Sequence, residues 1–303
     1  MTGSGRGADH GRIEVVTLSC PDLDTTVAAY VEVLEQRLVA RGSVDTELAT
    51  AWGVPPLAGR SMALLEPPSD SGFYLRLIEG PRPTVPPRTT HGWAALELSV
   101  RDADALHRRL TDDPRFRVLA APRPLPGLPQ IYPMQAEGPA GEVLYLNEIR
   151  GQLPDHDLPV AQCEIDRVFI VVLGAPDLDQ AVDFYVDGLS FDAADAYEIP
   201  IGVLNDAFGQ SADTRYRLQT TSVGRRLNVE VDQFPEMAVP RPVQKGELPA
   251  AMAMVSFAVD SLDGLPSPAV GPSLSRPEAP YLSRRAVVCR GAAGEWVELI
   301  LRG

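Results

Sequence analysis

Apolar runs that alternate with polar positions recur along this chain, and the clearest are followed by a helical stripe. Residues 13–19 read as a strand. Val27, Tyr30, Val31 and Leu34 then fall at i, i+3, i+4 and i+7, one face of a helix that Asp22 or Asp24 can cap. The same order returns later, with Val182, Tyr185 and Leu189 as the stripe. Further strands are predicted over residues 61–65, 73–78, 94–100, 143–147, 216–220, 227–231, 253–259 and 295–301, and a helix over 103–110. The matching stretch 262–274 is broken by Gly and Pro and predicts a truncated helix or none. Two short segments, ATAWG ending at Gly53 and NDAFG ending at Gly209, read as small helices closed by a glycine cap.

The pattern is a repeat. PDLDTTVAAY at 21–30 returns as PDLDQAVDFY at 176–185, 155 residues on. A fainter repeat lies within each half: VRDADAL at 100–106 is answered by VDSLDGL at 259–265, and GPAGEVLYL at 138–146 by GAAGEWVEL at 291–299. The expected organisation is a disordered tail over 1–12, a two-module domain over 13–150, a linker over 151–163, and a second two-module domain over 164–303. The fold class is α+β.

Composition narrows the functional classes. Lys and Arg number 27 against 41 Asp and Glu, a net charge of −14, so a basic nucleic-acid footprint is not expected. No apolar run is long enough for a membrane helix and the N-terminus lacks a secretory apolar segment. Three scattered cysteines fit a reducing cytoplasm better than a disulfide framework. Few Lys beside much Ala, Val, Arg, Pro and Gly suggests a GC-rich bacterial source.

The segments IEVVTLSCPDLDTTVAAY, IDRVFIVVLGAPDLDQAVDFY, VRDADALHRRL and GAAGEWVEL resemble the vicinal oxygen chelate superfamily, the glyoxalase, bleomycin-resistance and extradiol-dioxygenase group. The resemblance covers about 280 residues. It implies four βαβββ modules forming two cup-shaped mixed sheets, with a divalent metal and substrate held in a cup. The ligand positions it implies are Val15, Ala95, Arg167 and Met254 on first strands, and Arg76, Tyr145, Glu230 and Glu298 on last strands. None is His, and a guanidinium cannot serve as a ligand. No metal and no other cofactor is therefore expected. The assignment of Arg167 matches Ile165-Asp166 to Ile13-Glu14 and treats Leu173–Ala175 as an insertion.

Strand alternation sorts the faces. Val168, Ile170 and Val172 are assigned to the helix side and Arg167, Phe169 and Val171 to the cup. Asn228, Glu230 and Asp232, Met254 and Ser256, and Trp296 and Glu298 also face inward on this reading. One cup thus gathers Arg167, Glu230 and Glu298 as the candidate catalytic set, with Phe169, Asn228, Met254, Ser256 and Trp296 as substrate contacts. The other, with Tyr74, Arg76, Glu97 and Tyr145, is a second candidate. In a catalytic reading Arg167 holds an anion and a carboxylate moves a proton. In a structural reading Arg167 only bridges Glu230 and Glu298.

The expected function is a metal-independent lyase, isomerase or cyclase of secondary metabolism, acting on a small, aromatic or polyketide-like molecule. The alternative is a non-catalytic small-molecule protein of the antibiotic-binding or resistance type. Either works as a monomer or homodimer with a small-molecule partner and no nucleic acid or membrane.

Overall fold

The computed structural model describes residue 7 and residues 9–303. Four modules follow in order. The first is β1 (Ile13–Cys20), α1 (Leu23–Glu32), β2 (Arg37–Ser43), α2 (Thr46–Ala51), β3 (Ser61–Glu66) and β4 (Tyr74–Glu79). The second is β5 (Thr90–Val100), α3 (Ala103–Asp112), β6 (Arg117–Ala120), β7 (Ile131–Glu137) and β8 (Val143–Ile149). The third is β9 (Ile165–Ala175), α4 (Leu178–Leu189), β10 (Asp192–Ala193), β11 (Tyr197–Pro200), α5 (Gly202–Phe208), β12 (Arg215–Val223) and β13 (Arg226–Gln233). The fourth is β14 (Val239–Pro240), β15 (Ala251–Val259), β16 (Leu274–Ser275), β17 (Arg285–Arg290) and β18 (Trp296–Leu301), with no helix after its first full strand. This is the α+β arrangement of two cup-shaped sheets expected from the sequence.

The shared Asp-x-Asp segments start the helices. Asp22, Asp102 and Asp177 each sit in extended backbone and accept a hydrogen bond from the amide three residues on. Tyr30 and Tyr185, on the buried stripes, donate at 2.7 and 2.8 Å to Glu142 and Glu295, in the turns before β8 and β18. Each glutamate folds back over its own turn. A Cβ at Gly138 or Gly291 would lie 2.0 or 1.9 Å from that carboxylate, which explains the glycine opening both GxAGE repeats.

The modules pair otherwise than expected. One sheet runs β16-β17-β18-β15-β1-β4-β3-β2 and the other β10-β12-β13-β9-β5-β8-β7-β6. The first and fourth modules share the terminal cup, joined by antiparallel β1 and β15, while the second and third share the central cup through β5 and β9. Each cup therefore takes one module from 13–150 and one from 164–303. All four first strands present the same kind of edge, so local pattern does not choose the partner. The connection over 80–89 does bear on it. Its prolines at 81, 83, 86 and 87 lack a ladder donor and carry the chain away from the first sheet before β5 begins.

One apolar core lines the helix-facing sides of both sheets and takes in α1, α3 and α4. The tail expectation falls mostly on residues 1–6 and 8, which lie outside the described residues. Its last part is ordered: His10 is buried with its ring 2.8 Å from the Leu189 carbonyl, and Gly11 donates to Ala258.

Candidate functional site

The β-ladders put the two cups in register and show where the expected site separates. In the terminal cup Thr17 lies beside Arg76 and Met254, and Ser256 lies beside Glu298. In the central cup Val172 lies beside Glu230 and Ala95, and Glu97 lies beside Tyr145. Arg76 thus corresponds to Glu230, Ser256 to Glu97, Glu298 to Tyr145 and, two residues on, Ile78 to Asp232. Glu230 and Glu298, expected together, belong to different cups.

Arg167 belongs to neither acid group. The 155-residue offset continues through the strand, so the partner of Thr17 is Val172 and Arg167 corresponds to Arg12, ahead of the strand. The register slips where Glu97 faces Ile170 and Leu98 faces Val168. The bulge at Phe169 absorbs the extra residue and reverses the alternation beyond it. Val168 stays on the helix side, but Ile170 and Val172 turn into the cup and Val171 turns out, opposite to the sequence assignment. Arg167 is left at the strand start, 38% exposed, with Nε 3.8 Å from Asp166. Phe169 packs with Ile131, Ile149 and Leu158 at one end of the central cup. Asn228 sits at a second irregularity. It accepts from Thr221 at 2.6 Å and approaches the Gly11 carbonyl, so it is turned out of the cup.

The terminal cup is filled. Glu298, 1% exposed, accepts from Arg76 Nη2 at 3.1 Å, Tyr281 Oη at 2.7 Å, Trp52 Nε1 at 3.2 Å and Ser256 Oγ at 2.5 Å. The Arg76 guanidinium lies 4.9 Å from the Trp52 ring and 5.4 Å from that of Tyr281. Met254, Trp296, Val15, Leu48, Ile300 and half-buried Tyr74 pack around this group. Burial pushes the Glu298 carboxyl up, but Arg76 and the hydroxyl and indole donors outweigh it and hold the group below its usual range. A carboxylate with every lone pair engaged is a poor base, and its arginine spends Nη2 on that carboxylate while Nη1 is buried without a hydrogen-bond partner. Strand alternation placed Glu298, Ser256, Met254 and Trp296 inward correctly. Tyr281 was missed because it comes from an irregular loop without period. Trp52, the aromatic of the ATAWG turn, reaches in from the end of α2.

The central cup differs in charge and in access. Glu97 (7% exposed) accepts one bond from Asn147 Nδ2 at 2.9 Å. Asp232 is 1% exposed and its Oδ1 has no hydrogen-bond partner. Glu230, Tyr145, Gln135 and Thr220 on the same inner face are only half-buried, so solvent reaches the middle of the cup. Among the described residues none of the three acids forms an ion pair. Burial raises Glu230 to about 7. Burial, then Glu230, raises Asp232, and burial, Glu230 and Asp232 raise Glu97, against the bond from Asn147. Burial and the same acids raise the phenols of Tyr145 and Tyr197, and Arg88, from the 3-10 turn Pro87–Thr89, offsets a little of this at Tyr145. Asn147 was legible two residues past Tyr145 on one strand face. Tyr197 was not, because its short strand β11 crosses the cup only through pairing with β12.

The apolar end of this cup is formed by Ala95, Val143, Val172, Leu204, Tyr216 and Phe234, with half-buried Leu119, Ile201 and Phe208 against them. Phe208, the aromatic of NDAFG, packs edge-on to Phe234 with centroids 5.7 Å apart and does not enter the acid group as Trp52 does in the other cup.

The donor set does not fit the divalent metal that the resemblance implies. The terminal cup places a guanidinium where a ligand is needed. In the central cup the carboxylates feel one another's charge, yet among the described residues no three His, Cys, Asp or Glu side chains converge as ligands.

No family model matches the sequence, and no curated protein is similar enough to match it. Solved structures do match. Glyoxalase I from Zea mays superposes with a TM-score of 0.60 at 16% identity, over 95% of this chain and 92% of that one. A proposed dioxygenase from Bacillus subtilis superposes with a TM-score of 0.59 at 12% identity, over 97% of this chain and 85% of that one. At these identities the likeness shows the fold: the chain has the vicinal oxygen chelate fold. No helix is long and apolar enough to cross a membrane among the described residues.

Proposed function

We propose that the central cup is a binding site for a small organic molecule, and that the terminal cup has become a structural core. The observation that carries this reading is the contrast at equivalent positions. Where the terminal cup has Arg76 bonded to Glu298, the central cup has Glu230 and Tyr145 at the equivalent positions, and among the described residues no cation pairs with Glu230, Glu97 or Asp232. Buried carboxylates without partners are costly to the fold and are retained where something else uses them. Holding a ligand is supported better than turnover, because Arg167, expected to hold an anion, lies outside both acid groups. The test is a fragment screen read by methyl NMR. The reading expects shifts at Ile170, Val172, Leu204 and Leu119. Shifts confined to Val15, Val288 and Ile300, or no shifts with any fragment, would overturn it.

A second reading is favoured by one observation. Glu230, half-buried and raised to about 7, suits proton transfer near neutral pH. In that reading the protein is a lyase or isomerase with Glu230 as base and Tyr145 as hydrogen-bond donor, with no step routed through a metal. Deuterium entering a bound fragment from heavy water, abolished in Glu230→Gln, supports it. Binding without exchange in the wild type removes it.

A further inference from the structure

We propose that the ligand of the central cup is an organic cation, an amine or amidine carried on an apolar body, and this inference rests on reading that cup as the binding site. Three carboxylates from β5 and β13 look into one space. Glu97 has one amide donor, Glu230 has none, and one oxygen of Asp232 is buried without any partner. The hydroxyl of Tyr216, in the apolar wall of the same cup, is likewise buried without a partner. A site with this much unneutralised acid repels anions and gives a neutral ligand nothing that offsets the burial of charge.

A metal ion would need convergent ligands at about 2.0–2.6 Å, and the acids are not so arranged. An organic cation has no such demand. Its N–H groups point several ways and can meet carboxylates on separate strands. Its apolar body has a wall to lie on, built by Leu119, Ile201 and Phe208, which the fold leaves only partly covered. Tyr145 and Tyr197 add aromatic rings in the field of the same acids, a setting that favours a cation over a ring face.

Binding would also move protons. The groups facing the site are Glu97 on β5, Tyr145 on β8, Glu230 and Asp232 on β13, Tyr197 on β11 and Tyr216 on β12, with Arg88 the basic side chain whose field reaches Tyr145. At neutral pH the free cup holds part of its acid protonated. A cation favours the ionised forms, so protons leave as it enters.

Isothermal titration of the whole protein with three matched probes tests this: 2-phenylethylamine, 2-phenylethanol and phenylacetate. The amine is expected to bind at least about tenfold tighter than either of the others. It should release protons at pH 7, seen as heats that differ between buffers of different ionisation enthalpy. Glu230→Gln and Asp232→Asn, each removing one like charge, should fold and weaken the amine by about tenfold or more, while the exposed control Glu198→Gln leaves it unchanged. The cation assignment is wrong if the amine fails to bind, if phenylacetate or the alcohol binds as well, or if both acid variants keep full amine affinity. Alcohol or phenylacetate binding with methyl shifts in the central cup would then leave the site itself standing. Failure of all three probes removes both the cation and the site.

Discussion

Replacing Arg76 by Met should cost the protein several kcal/mol, and the cost should depend on Glu298. Both side chains are at most 2% exposed, and they meet at 3.1 Å. Arg76→Met leaves a buried carboxylate with three neutral donors, from Trp52, Tyr281 and Ser256. Glu298→Gln leaves a buried guanidinium held by a neutral amide and two aromatic rings. Breaking a buried pair from either side costs about 3–5 kcal/mol. Removing both charges together avoids the orphan, so Arg76→Met/Glu298→Gln should cost at least about 1.5 kcal/mol less than the sum of the singles. Urea unfolding of the four proteins at one pH measures this. The sign with pH is also set. The folded carboxyl of Glu298 lies below its usual value, so its contribution is complete above about pH 4.3 and is lost as pH falls through the folded value. Singles that each cost under about 1 kcal/mol, or strict additivity, would refute the view that this pair is the buried centre of the terminal cup.

In the central cup the expected sign is reversed. Glu230, raised to about 7 in the fold, destabilises the protein progressively from about pH 4 to 7 and fully above that, so Glu230→Gln should stabilise it at pH 8 by about 1–3 kcal/mol and hardly at pH 4, as thermal melts at the two pH values would show. Tyr30→Phe and Tyr185→Phe each leave a buried glutamate short of one donor and should cost about 1.5–3 kcal/mol in urea unfolding; a loss under about 0.5 kcal/mol would mean that the bonds are incidental. Gly138→Ala and Gly291→Ala place a Cβ against the folded-back glutamate of the same turn, so both should lower the melting temperature, whereas Gly224→Ala, with open space around it, should show only the cost of its positive φ. Arg167→Met, at a half-exposed strand start, should leave stability within about 0.5 kcal/mol and any ligand affinity unchanged.

The modules were legible because their signals are local. An aspartate ahead of an i, i+3, i+4 stripe starts a helix wherever it occurs, and Val229 and Val231 alternate with Glu230 and Asp232 on any uninterrupted strand. The site was legible only in part because it depends on two non-local facts. One is the partner of each module, which put Glu298 beside Arg76 of the first module instead of beside Glu230. The other is a bulge. An extra residue at Phe169 exchanges the faces of Ile170, Val171 and Val172, while Arg167, ahead of it at the exposed strand start, falls short of the acid groups, and no periodicity before that point announces it. The unbroken offset between the two PDLD segments did carry the right alignment. It pairs Thr17 with Val172 without an insertion.

The central claim is that one cup is a core and the other a binding site. It is tested most directly by titrating 2-phenylethylamine into two double variants, Arg76→Met/Glu298→Gln and Glu230→Gln/Asp232→Asn. The first, though less stable, is expected to bind the amine as the wild type does, and the second, at least as stable as the wild type, to bind it no longer. Loss of binding in the first variant with retention in the second would contradict it.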